Sequence, residues 1–381
     1  MRKDICFVCL GQCAGNIGQL LERKGYGVLF LNTASIDIKL LNKSVHVWKI
    51  PGAEGCNQDP EKAQGVFAQE YAAIMQKIIS FAQKRIVYFV CSSSGGTGGG
   101  MTPLVLEAYL EHLAKQEEAD WDTYYGKLDA GESAVAPSKR RAGLITVLPG
   151  LDESPIFNAN SFNFMRSVWN LYENEVNKEH TNLASYILID NENNSDLLTL
   201  NKQFVDCLDK ILKIPEQPAN ALGNVDNADL ENAFTTPGIL TMAMLERQSF
   251  SPGELIRALK RSNIFTQLEG DSCDYWVSST TEPLDSAALE TELGIPKAYY
   301  KTFNDGINLF VVSGAGIPTE RIELLADRAE ERKRHRRIVN SSVFERKIEM
   351  ENASTITPAN KPVPTSVSVQ DKLSKLRRHR F

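Results

Sequence analysis

Residues 85–103, RIVYFVCSSSGGTGGGMTP, decide how the rest of the chain is read. Val87 to Cys91 is a short apolar run of β-branched and aromatic residues, the pattern of a buried strand. Three serines and the turn Gly95-Gly96-Thr97-Gly98-Gly99-Gly100 follow, and Pro103 with the periodic segment Leu104–Leu113 opens a helix. Strand, glycine turn and helix N-terminus together form a cradle for anions. Backbone N–H groups converge there, no Cβ obstructs the approach, and the helix dipole adds positive charge. Glycine-rich composition also suits a plain flexible linker, so the neighbouring sequence has to arbitrate.

A second unit repeats the form. Asp4–Leu10 reads as a buried strand, Gly11-Gln12-Cys13-Ala14-Gly15-Asn16-Ile17-Gly18 follows, and Leu20-Leu21 begin a helical pattern. These glycines do not have the G-x-G-x-x-G spacing of a dinucleotide fingerprint, and no lysine-bearing Walker sequence occurs. Val28–Asn32 reads as a strand that ends in Thr33-Ala34-Ser35, with Asp37 close behind. Val45–Ile50 runs into another small-residue loop, Pro51–Asn57, and a helix over Pro60–Gln83 leads back to Val87. Alternating strands and helices predict right-handed crossovers and a parallel sheet, an α/β, Rossmann-like fold. The loops then collect at the carboxyl edge of the strands, as a site large enough for a nucleotide.

Lys115–Ala142 is polar and weakly periodic and reads as an exposed insertion of low order. Gly143–Leu148 resumes the sheet, a helix is predicted over roughly 160–175, and Tyr186–Asp190 is a further strand. Leu197, Leu200, Phe204, Leu208 and Ile211 lay an apolar stripe along a long helix over Ser195–Ile214. From about 234 to 313 the pattern is α+β and predicts a second, smaller domain. A charged helix follows from Pro318, then a Pro/Ser/Thr-rich linker over 353–369 and the basic end Lys372–Phe381, KLSKLRRHRF.

Composition narrows the function classes. The chain has 381 residues, is 42% hydrophobic and carries a net charge of −6, which disfavours nucleic-acid binding by its body. No apolar run is long enough to span a membrane and the start lacks a signal-peptide pattern, so a cytoplasmic location is expected. Cys6 and Cys9 form a CxxC, but a strand sends them to opposite faces, which suits reduced core cysteines better than a metal or redox pair.

Three motifs in order resemble the tubulin/FtsZ superfamily. GQCAGNIG (11–18) is similar to GQxGxQxG, SSSGGTGGGMTP (92–103) to GGGTGxGxxP with Ser94 at the first glycine, and NVDNAD (224–229) to NxDFAD with Asn227 at the phenylalanine. The loop GAEGC (52–56) and the basic tail resemble the plasmid- and phage-borne TubZ-like segregation GTPases. The resemblance covers about Met1–Pro318 and implies a GTP-binding domain over 1–194, a central helix and its exit over 195–222 and an activation domain over 223–318. It also implies a C-terminal helix over 319–352 and a flexible linker and basic tail over 353–381.

The same resemblance implies GTP or GDP with Mg2+ in the cleft. Gly11, Gln12, Cys13, Gly15 and Asn16 would bracket the α- and β-phosphates, and Ser94, Gly95, Gly96, Thr97 and Gly98 the β- and γ-phosphates. Glu54 and Gly55 would border the γ-phosphate, Arg166 would stand near the nucleotide, and Asn201 and Phe204 would contact the base. Asp37 would reach the metal shell or remain a solvated loop carboxylate, and Phe204 equally suits core packing. Asn224, Asp226 and Asp229 would complete the site of a neighbouring copy in a head-to-tail filament, or serve as a helix cap. The tail would engage a DNA-bound adaptor, or only solubilise the chain. Other readings are a division or phage-positioning filament, an NAD(P)-dependent oxidoreductase on a doubly wound sheet, and a non-catalytic nucleotide-binding scaffold.

Overall fold

A computed structural model describes residues 1–41, 43–178, 180–193, 196–246, 251–270 and 272–344, with 332–344 as backbone only. The predicted linker and tail, 353–381, and the end of the predicted C-terminal helix lie outside the described residues.

The first half alternates as its apolar runs require: β1 (Ile5–Leu10), α1 (Gln12–Arg23), β2 (Gly27–Asn32), α2 (Ser35–Leu40), β3 (His46–Lys49), α3 (Pro60–Phe81), β4 (Ile86–Ser92) and α4 (Thr97–Asp129). β5 (Arg141–Leu148), α5 (Pro155–Val176), β6 (Leu183–Asp190), α6 (Leu197–Leu212), α7 (Asn227–Thr235) and β7 (Gly238–Leu245) continue it. The remainder is α8 (Pro252–Lys260), β8 (Tyr275–Thr280), α9 (Ser286–Leu293), β9 (Ala298–Phe303), β10 (Asn308–Ala315) and α10 (Thr319–Phe344). The ten strands among the described residues join one sheet in the order β3-β2-β1-β4-β5-β6-β7-β10-β8-β9. Neighbours from β3 to β7 are parallel, and β10 runs antiparallel to both β7 and β8. The α+β part therefore continues the first sheet, joined to it at Ser185–Gly238 and Tyr186–Ile239.

Strand alternation divides the core into two layers. Cys6, Val8 and Leu10 pack with α3, α4 and α5, whereas Ile5, Phe7 and Cys9 pack with α1, α6 and α7. The two cysteines of the CxxC thus lie on opposite faces. Burial on both faces is what makes these strands continuous apolar runs.

Three expectations need correction. α4 begins at Thr97, not near Pro103, so Gly98, Gly99 and Gly100 are helical; the amides of Gly99 and Gly100 donate to the carbonyls of Gly95 and Gly96 at 3.1 and 2.9 Å. Glycine is a poor helix former, and close packing overrides that preference here. α4 also continues through Lys115–Asp129, which is ordered helix. At 33 residues it is about 50 Å long. Its outer half is held by polar contacts that leave no apolar stripe, including Asn182 Nδ2 to Glu117 Oε2 at 2.8 Å, and by the Trp121–Tyr125 stack. Finally, β7 and β9 are strands that the sequence reading did not separate from the surrounding α+β pattern.

α10 is pinned by a buried ion pair. Arg321 Nε and Nη2 donate to Asp190 Oδ2 and Oδ1 at 2.7 and 2.8 Å, and Nη2 also reaches the Pro149 carbonyl at 2.5 Å. Removing one partner strands the other's charge away from water. Arg321→Met should therefore destabilise the fold by about 3–5 kcal/mol in urea unfolding, and adding Asp190→Leu should restore most of it. An unchanged midpoint for the single variant would show that the pair does not hold α10.

Candidate nucleotide site

Because β1, β2, β4, β5 and β6 are parallel, the segments that follow them emerge at one edge of the sheet. They form a cleft of about 350 Å³ lined by Gly11, Gln12 and Cys13 from the first turn, and by Ser94, Gly95, Gly96, Thr97 and Gly98 from the second. Asn32, Ala34 and Asp37 border it after β2, and Gly55, Cys56, Asn57 and Gln58 after β3. Thr33 ties the floor together: its hydroxyl lies 2.8 Å from that of Thr97 and 3.6 Å from Cys56 Sγ.

Helix capping marks the cleft as a site for anions. α3, α5, α6, α7, α8 and α9 each have a side chain bonded to their first-turn amides, from Asp59, Ser154, Asp196, Asp226, Ser251 and Asp285. α1 and α4 have no such cap, and their N-cap residues Gly11 and Gly96 line the cleft; α2 also begins there after Ala34, but Glu54 takes its Ser35 amide at 2.6 Å. Uncapped first-turn amides at the positive ends of α1 and α4 can serve phosphate oxygens. Asp37 is the one charged side chain among the described lining residues, and Asn32 Nδ2 donates to its Oδ2 at 2.9 Å. Burial pushes the Cys13 thiol up to about 12, so it remains a neutral wall at physiological pH.

Several residues named from the sequence lie elsewhere. Gly15 and Asn16 are further along α1, and Gly15 packs toward Leu41. Glu54 turns outward to Lys49 Nζ at 2.6 Å and to the Ser35 amide and hydroxyl, contacts that hold its carboxyl down to about 2. Arg166 is exposed on α5, beside Asn163 Oδ1 at 3.5 Å, and does not line the cleft. Asn201 is buried on α6 and also does not line it. Phe204 has no exposed surface and sits edge-on to Phe265 at 6.0 Å, so core packing describes it and no face is open to a base. Sequence reasoning brought the Pro51–Asn57 loop to the site without singling out Asn57, and it missed Gln58 and Phe157 as lining residues; nothing in the local pattern of those two marks them.

The two acids and two amides of NVDNAD stand at the opposite edge. Asp226 is the N-cap of α7, accepting from the Ala228 and Asp229 amides at 2.7 and 2.9 Å, and Asp229 Oδ2 accepts from the Asp226 amide at 3.1 Å. This is a complete capping box. Asn224 closes the preceding loop by accepting from the Asn220 amide at 2.7 Å. Asn227 bonds to the Met1 amine, and Glu231 pairs with Arg85 at 2.6 Å, contacts that place α7 where β1 and β4 begin. β4 has seven residues, so about 23 Å separates this edge from the cleft.

No family profile matches the chain. A curated tubulin-like protein TubZ from Clostridium botulinum C phage is 28% identical over 344 residues, 90% of this chain and 87% of that protein. Tail-truncated TubZ of Clostridium botulinum phage c-st superposes with a TM-score of 0.71 at 25% identity, over 88% of this chain and 99% of that one. The chain belongs to the tubulin/FtsZ superfamily and is TubZ-like. A GTPγS-form protofilament of Bacillus thuringiensis serovar israelensis TubZ shares the fold at a TM-score of 0.69 and 15% identity, over 89% of this chain and 94% of that one. Superfamily membership removes the ground for the oxidoreductase reading, which rested on the doubly wound sheet alone.

Gly98 is the tightest joint of this TubZ-like cleft. A Cβ there would stand 2.7 Å from the Leu10 carbonyl and 3.2 Å from Cys91 Cβ, so α4 would have to back away from β1. Gly98→Ala should cost about 1–3 kcal/mol of stability, read by thermal denaturation. A variant as stable as the parent would mean that the two glycine turns are not held in register by this contact.

Proposed function

We propose that the chain is a GTPase that assembles head to tail into filaments and hydrolyses GTP only at the junction between copies. The observation that carries this reading is the separation of the cleft from Asn224, Asp226 and Asp229 by the length of the sheet. One copy cannot bring both to the same phosphate. A second copy, stacked with its acid edge on the cleft edge, can. Such a contact is heterologous and propagates as an open filament.

The cleft suits a triphosphate with its metal. Its described lining has no cationic side chain to neutralise phosphate, and Asp37 with Asn32 offers oxygens to a hydrated cation. Mg2+ carried on the phosphates would supply that neutralisation. The chain's own contribution is the pair of uncapped helix ends on the phosphates. From the neighbour, Asp226 and Asp229 orient the water that attacks the γ-phosphorus and take up its proton as the bond to the bridging oxygen breaks. The capping box uses one oxygen of each acid and leaves the other, so the cap aims the carboxylates without consuming them. Loss of the γ-phosphate then weakens the junction.

Relatives named for filaments and for GTPγS and GDP forms support the nucleotide and the assembly. We assign the filament a cytoplasmic role in moving plasmid or phage DNA, with an adaptor engaged by Lys372–Phe381. Asp226→Asn and Asp229→Asn keep groups able to form the capping box and remove the carboxylates. Each should leave GTP binding intact, lower turnover about a hundredfold or more, and give long-lived polymers in light scattering. Loss of GTP binding in either variant would refute the shared site.

A further inference from the structure

The nucleotide reading gives no role to Asn160 on α5 or to the turn beside it. Asn160 Nδ2 donates to the Gln58 carbonyl at 2.9 Å and to the Ser94 carbonyl at 3.1 Å. An amide nitrogen has two hydrogens, and here each goes to a different wall of the cleft. The turn so held is strained: Asn57 and Gln58 have φ of 49° and 59°, the two non-glycine residues with positive φ among those described. Left-handed backbone is tolerated by asparagine and costly for glutamine, and it persists only where its surroundings impose it.

Those surroundings are the glycine turn. A Cβ on Gly96 would stand 3.0 Å from both the Gln58 and Asp59 amide nitrogens and 2.9 Å from Cys56 Cβ, so the two loops lie backbone against backbone. Lys62 Nζ donates to the Gly55 carbonyl at 2.7 Å and steadies the near side of the same turn. Asn160 is half-buried and joins the far side.

The geometry points to Asn160 as a positioning residue whose side-chain amide latches the Asn57–Gln58 turn onto Ser94 and fixes the cleft wall beside the terminal phosphate. The assignment of that wall to the γ-phosphate rests on the GTPase reading. Opening the latch frees the turn to leave its strained conformation and widens the cleft on that side. A diphosphate, held by the first turns of α1 and α4, does not depend on it.

The test uses the full chain and fluorescent GTPγS and GDP, displaced by excess unlabelled nucleotide. Asn160→Ala and Asn160→Asp should release GTPγS about tenfold faster, the scale of two neutral hydrogen bonds, with GDP release altered by less than about twofold. Asn163→Ala, on the exposed surface of the same helix, should change neither. Gln58→Gly removes the side-chain penalty for the left-handed turn and should restore slow GTPγS release in the Asn160→Ala background. Amide hydrogen exchange needs no nucleotide: Asn160→Ala should speed exchange at Gly55 and Asp59, whose amides bond to Thr33 and Cys56. Equal acceleration of both nucleotides, or unchanged release and exchange, would overturn the latch. A parent chain that binds neither nucleotide would defeat the GTPase reading instead, and the exchange measurement alone would then decide the latch.

Discussion

The polarity of the parallel sheet governs everything else in this molecule. Each strand from β1 to β6 that feeds a glycine or serine turn ends at the same edge, and the loop that leads into α7 lies at the other. Strands do not bend back on themselves, so the distance between phosphate cradle and acidic loop is set by strand length. Neither side-chain rotation nor loop motion of ordinary amplitude closes about 20 Å. On the proposed function, an active site divided in this way would work only when molecules stack, which would link the chemistry to the state of assembly.

The cleft offers the polyanion of the proposed function helix ends in place of basic side chains. Six helices elsewhere satisfy first amides with their own Asp or Ser, whereas α1 and α4, which begin in the cleft, have no side-chain cap. Affinity then depends on backbone placement to a fraction of an ångström. The contacts that enforce it are the Gly98–Leu10 approach, the Thr33–Thr97 hydroxyl pair and the bridge from Asn160. Through these contacts Leu10, Thr33 and Asn160 set the placement of the backbone that lines the cleft.

Much of this was legible in the sequence because doubly buried parallel strands leave unbroken apolar runs, and glycine turns follow them directly. β1, β4 and β6 and the lining by Gly11–Cys13 and Ser94–Gly98 follow from that pattern. The outer half of α4 was not legible, since its partners are polar groups such as Asn182 and its own aromatic neighbours, which leave no stripe. Phe204 illustrates the limit of motif transfer: an apolar stripe position matched a base contact by order in the chain, yet the side chain is sealed against Phe265. Asn160 escaped altogether because its two partners are 102 and 66 residues away and one asparagine on a helix has no local signature.

The central claim is that cleft and acids act from different molecules. Its most direct test mixes two inactive variants: Asp226→Asn/Asp229→Asn, with an intact cleft, and Gly95→Asp, with intact acids and a carboxylate placed in the cleft at a glycine whose Cβ meets nothing closer than Ser92 Cβ at 4.0 Å. Each alone should show no GTP turnover, and a mixture should recover turnover that rises with the product of the two concentrations. Mixtures as inactive as their components, with both variants folded and copolymerising, would contradict the account.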